Sequence, residues 1–94
     1  MIKISVSNDG FVVHGHAGFA RRGEDVVCAS VSSIVQTAVL GLRNVMGMQV
    51  QIEKRDGYLK VDAKELDKNI IISTMVEGLK DLAKQFPNHI MLED

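Results

Sequence analysis

The stretch HGHAGFARRGEDVVCAS, residues 14–30, holds two of the chain's three histidines and its only cysteine. Cys28 lies twelve residues after His16. A thiol and an imidazole in contact are the minimum apparatus for nucleophilic acyl transfer, the imidazole taking the thiol proton and later returning it to the leaving group. The thiolate is the reactive form, and a helix N-terminus or a cationic neighbour favours it. Asp25 is a good helix N-cap, which puts Cys28 at about the third helical position. There the unpaired first-turn N–H groups and the helix dipole favour a negative sulfur. The same amides, if uncommitted, could hold an oxyanion. Ser32, four residues after Cys28, shares its helix face and could steady the thiolate or bond back to the helix. Asp25 could also orient His16, although capping and orienting compete for the same oxygens.

A plainer reading stands beside this one. Free cysteine is among the most buried residue types, and most lone cysteines in small domains are packing residues. His14, His16 and Cys28 suggest a metal set, but a structural zinc needs four ligands and no fourth lies near. No metal site and no cofactor is expected, and a metal or redox sensor built on Cys28 is the weaker rival. His89, just past a proline, reads as a surface residue. Arg21-Arg22 reads as a solvated loop tip that could meet an acidic substrate group.

The elements that must position these groups follow from periodicity. Ile2, Ile4 and Val6 alternate with polar residues, Asn8-Asp9-Gly10 signals a turn, and Phe11-Val12-Val13 opens a second strand. That hairpin is expected to end near His16, with His14 and His16 on one face. Residues 17–24 have no periodicity and form a loop in which Gly18 and Gly23 provide freedom. Val27, Val31, Ile34, Val35, Ala38, Leu42 and Val45 fall at steps of three and four, the stripe of a core-facing helix, with Gly47 as its C-cap. A second hairpin spans 49–63 around Asp56-Gly57, with Val50, Ile52, Leu59 and Val61 alternating. A second helix is expected over 65–86, with Ile71, Met75, Leu79, Leu82 and Phe86 buried, until Pro87-Asn88 stops it. Ile90 and Leu92 suit a short final edge strand, and Met46, Met48 and Met75 read as gap-filling core. The order is ββαββα(β). The fold class is α+β, a two-layer sandwich of a mostly antiparallel sheet with two helices on one face.

Composition bounds the function. Ninety-four residues make one domain over 1–94, without repeats or linkers. Eleven basic and twelve acidic residues give a net charge of −1, which argues against a direct nucleic-acid binder. A lone cysteine fits a reducing compartment. The N-terminus alternates where a signal peptide would carry an apolar run, and no run reads as a membrane span. A soluble cytoplasmic protein is expected.

Gly15-His16-Ala17, a glycine-containing loop, and then Gly23-Glu24-Asp25-Val26-Val27-Cys28-Ala29 followed by serine closely resemble the ribosomal-processing cysteine protease family Prp, also called YsxB-like. The match extends to length and element order. The resemblance implies that Cys28 is the nucleophile and His16 the general base, with Asp25 and Ser32 in supporting positions. His14 matches no family element and is left as strand surface. It implies a substrate, large-subunit ribosomal protein twenty-seven carrying a short N-terminal extension, cut at a hydrophobic, Phe-rich site. It also implies a homodimer and a glycine loop that orders around substrate. An apolar patch on the sheet face away from the helices would give the dimer its motive. The rival from another class is a ribosome-associated module that binds the same tail without cutting it.

Overall fold

The computed structural model describes residues 1–21 and 23–93. Five strands form one mixed sheet: β1 (Ile2–Ser7), β2 (Gly10–His14), β3 (Gln51–Arg55), β4 (Tyr58–Asp62) and β5 (Ile90–Glu93), in the spatial order β3-β4-β2-β1-β5. Three neighbouring pairs are antiparallel, and β1–β5 is parallel. Two helices complete the fold, α1 (Val26–Leu40) and α2 (Ile70–Gln85).

Register explains why the helices share one face. Ile4 pairs with Val13 and Leu92, Val6 with Phe11, and Phe11 with Val61. Paired residues point to the same side of a sheet, so one face is apolar across β5, β1, β2 and β4, with Lys54 of β3 at its edge. Ile2, Ile4, Phe11, Val61 and Ile90 are buried there in a single cluster with Val27, Val31 and Val35 of α1 and Ile72, Met75 and Leu79 of α2. The two-layer α+β sandwich inferred from the sequence is the fold observed. The open face carries Lys3, Ser5, His14, Tyr58 and Lys60, with Val12 and the exposed Met91 as single apolar residues among them rather than the apolar patch anticipated there. The exposed large apolar side chains include Val26, Leu40, Val45 and Ile70, all in the helical layer.

The helix ends depart from expectation for local reasons. After Leu40 the chain winds into a π-helical turn, Gly41–Val45. A wider turn changes the rotational phase of the residues it carries, which leaves Leu42 buried and turns Val45 outward at 82% exposure. Gly47 lies beyond it in the left-handed region. From Val26 to Val45 this helix is long and apolar enough, by length and composition, to cross a membrane, contrary to the reading of the sequence; its buried stripe is part of the core. The second helix begins at Ile70 rather than 65, because Glu65 is left-handed and a 3₁₀ turn, Leu66–Lys68, intervenes. Asn69 then caps it, its Oδ1 accepting from the N–H groups of Ile71 and Ile72. Met46 is largely exposed rather than core.

Candidate active site

Asp25 caps α1 as its residue type suggested. Its Oδ1 accepts from the N–H groups of Val27 and Cys28, both at 3.0 Å. Its Oδ2 accepts from Phe19 at 3.0 Å and Ala20 at 3.3 Å. One carboxylate thus staples the loop to the helix it starts, and both oxygens are spent on backbone amides instead of orienting His16. The Cys28 amide, opposed by desolvation and joined by the amides of Ala20, Phe19 and Val27, holds the Asp25 carboxyl below its ordinary pKa. A depressed folded-state value stabilises the fold above the unfolded carboxylate's pKa of about 3.9 and is lost as pH falls through the folded value. By removing the helix cap, Asp25→Ala should lower Tm at pH 7 by about 4–8 °C. The gap between wild type and Asp25→Asn should narrow in melts taken below about pH 4.

Cys28 is the third residue of α1, half-buried against the core. The first-turn amides expected to be free are occupied: Val27 and Cys28 donate to the Asp25 side chain, and Ala29 to the Asp25 carbonyl. The donor that reaches the sulfur comes from the loop instead, the Ala17 N–H lying 3.3 Å from Cys28 Sγ. Sequence reading missed Ala17, because a backbone donor leaves no side-chain signal.

His16 stands just past β2. The strand ends at His14 and Gly15 turns with φ 98°, so His14 and His16 do not continue one strand face. A Cβ at Gly15 would collide with the Met1 carbonyl. His14 lies on the surface with Nε2 3.9 Å from Glu93. The His16 ring instead packs over the β3–β4 turn, where a Cβ on Gly57 would come within 2.7 Å of its Nε2. The Gly15 N–H bonds the Gly57 carbonyl at 2.8 Å, and the His16 carbonyl accepts from the Met1 ammonium at 2.6 Å. Gly57 also needs its φ of 68°. Gly57→Ala should cost roughly 1 kcal/mol for the left-handed backbone. By displacing the ring it should reduce turnover about 10- to 100-fold, read by steady-state kinetics on protein shown to be folded by circular dichroism.

His16, Cys28 and Ser32 line two adjoining clefts. One, about 390 Å³, runs between α1 and the β3–β4 hairpin past Val13, Val35, Val39, Ile52 and Leu59. The other lies under the loop with Gly18, Gly23, Asp25 and Asp56. Ser32 Oγ accepts from Gln36 Nε2 at 3.0 Å. Gly18 and Gly23 both take left-handed φ, 69° and 86°. Arg21 pairs with Glu24 in solvent, and Arg22 lies outside the described residues. His89 is half-buried rather than a surface group, its Nδ1 2.9 Å from the Ala17 carbonyl.

The arrangement puts a thiol and an imidazole on the wall of an open apolar groove, with a buried amide donor on the sulfur. Known proteins resemble this chain in sequence and in fold. The chain is 34% identical over 96 residues to the ribosomal processing cysteine protease Prp of Mycoplasma pneumoniae, covering 100% of this chain and 95% of that one. It is 30% identical over 98 residues to the Prp of Mycoplasma genitalium, covering 100% and 96%. The structure of Prp from Staphylococcus aureus in complex with a covalently linked product peptide superposes with a TM-score of 0.85 at 21% identity, covering 98% of this chain and 95% of that one. The family model for cysteine protease Prp matches residues 1–91, and the chain belongs to that family of cysteine proteases.

Proposed function

We propose that the protein is an endopeptidase that removes a short N-terminal extension from large-subunit ribosomal protein twenty-seven, acting in the cytoplasm as a homodimer. The observation that carries this reading is the presence of Cys28 and His16 on the wall of one apolar cleft. A groove lined by valine, isoleucine and leucine side chains suits a peptide segment rich in large apolar residues. The Mycoplasma relatives carry the name ribosomal processing protease, and the Staphylococcus aureus relative holds a covalently linked product peptide. Both support covalent chemistry on a ribosomal precursor.

The steps follow from the residues present. His16 takes the proton of Cys28, and Sγ attacks the scissile carbonyl. The Ala17 N–H, already at the sulfur, supports its negative charge before attack and is in place to follow that charge to the carbonyl oxygen. Collapse forms a thioester and expels the amine, which takes its proton from His16. Water, deprotonated by His16, then releases the acyl group. The loop carrying Gly18 and Gly23 lies over the cleft on the side of Asp25 and closes on the bound peptide. Ser32, on the same wall, contacts that peptide or the sulfur.

The test mixes the protein with the extended ribosomal protein of the same genome and weighs the products by intact mass spectrometry, with Cys28→Ala alongside. A single cut behind the extension, absent in the variant, is expected. Binding without a cut would favour the binding module.

A further inference from the structure

We propose that His89 is a positioning residue of the active site, its ring fixing the Ala17 peptide so that the Ala17 N–H stays on the Cys28 sulfur. The inference rests on Cys28 being the nucleophile and extends that reading to a residue 72 positions from the loop it holds.

Ala17 links the two side chains. It is 3% exposed, and both of its backbone polar groups have partners. Its N–H donates to Cys28 Sγ at 3.3 Å. Its carbonyl lies 2.9 Å from His89 Nδ1, and since a carbonyl can only accept, Nδ1 carries the proton. His89 is itself fixed: its N–H donates to the Phe86 carbonyl at 3.0 Å, and its carbonyl accepts from Ile2 at 2.8 Å at the start of the β1–β5 pairing. The loop leans on the same support. The Phe19 ring meets both His89 and Phe86 edge-on, each at 5.4 Å, while the Phe19 and Ala20 amides are tied to Asp25. The loop is therefore anchored at the helix by a carboxylate and at the sheet by an imidazole, with the sulfur's donor between them. A loop segment aims an N–H at a reacting atom only as well as its own carbonyl side is held.

The experiment compares His89→Leu, which keeps bulk and removes the donor, with His89→Asn, whose side-chain N–H can occupy the place of Nδ1. Each is read by Tm, by kcat and KM for the ribosomal precursor, and by the rate of Cys28 alkylation by iodoacetamide at pH 7. We expect His89→Leu to lower kcat about 10- to 100-fold with KM changed less than about threefold. We expect it to slow alkylation, because a donor to the sulfur favours its reactive form. His89→Asn should recover both to within about threefold of wild type. Equal activity of the two variants at matched Tm, a change in KM alone, or wild-type alkylation in both would overturn the proposal. Should His89→Leu fail to fold, a slow-alkylating, folded His89→Asn would overturn it equally. Alkylation needs no substrate, so a wild-type protein that leaves the precursor uncut would sink the functional reading without deciding this one.

Discussion

Cys28→Ser should leave a folded protein whose cleavage rate falls by on the order of 10⁴-fold or more. The substitution keeps the shape of the side chain and an acceptor for the Ala17 N–H, which lies 3.3 Å from the sulfur. Cys28 is only half-buried, so the change should alter stability by less than about 1 kcal/mol. What is lost is nucleophilicity. A hydroxyl is far harder to ionise than a thiol, and the one amide that reaches this side chain does not close that gap. Cys28→Ala removes the acceptor as well and should be destabilised by about 1 kcal/mol with the same loss of turnover. Intact-mass kinetics and thermal melts on the three proteins separate the two effects. Cleavage by Cys28→Ser within tenfold of wild type would end the assignment of the nucleophile.

The structure explains why some of this site was legible in the sequence and some was not. A cap followed three residues later by a cysteine is a local pattern, and local patterns survive folding: Asp25 caps, and Cys28 is the third helical residue. Strand alternation was equally readable, because the period of two that buries Ile2, Ile4 and Phe11 also decides which face the helices cover. The errors arose where the outcome depends on partners distant in sequence. The first-turn amides are free in an isolated helix, but here Asp25 occupies those of Val27 and Cys28. His89 follows a proline as surface residues often do, yet β5 pairs with β1 and carries it to the loop. The shift at Val45 has another cause, since a π turn breaks the rotation that a 3.6-residue period assumes. No pattern of side-chain types points to Ala17, because its contribution is a backbone N–H.

His16→Ala carries the second large expectation. The backbone around His16 is held without its side chain: Gly15 bonds Gly57, the His16 carbonyl accepts from the Met1 ammonium, and Ala17 bonds Cys28. The imidazole is exposed, so truncation should change stability by no more than about 0.5 kcal/mol and leave the Ala17 N–H where it is. Turnover should nevertheless fall about 10²- to 10⁴-fold, the range for loss of a positioned general acid–base. The two roles of the site then separate in one variant. Alkylation of Cys28 by iodoacetamide, which has no leaving amine to protonate, should slow much less than peptide cleavage does. Because the ring lines an open cleft beside Gly57, its removal leaves room for free imidazole, and millimolar imidazole should restore part of the lost activity with a saturable dependence. Wild-type cleavage by His16→Ala would move the proton transfers to another group. A loss of cleavage matched by an equal loss of alkylation would make His16 a support for the sulfur rather than the base that serves the leaving group.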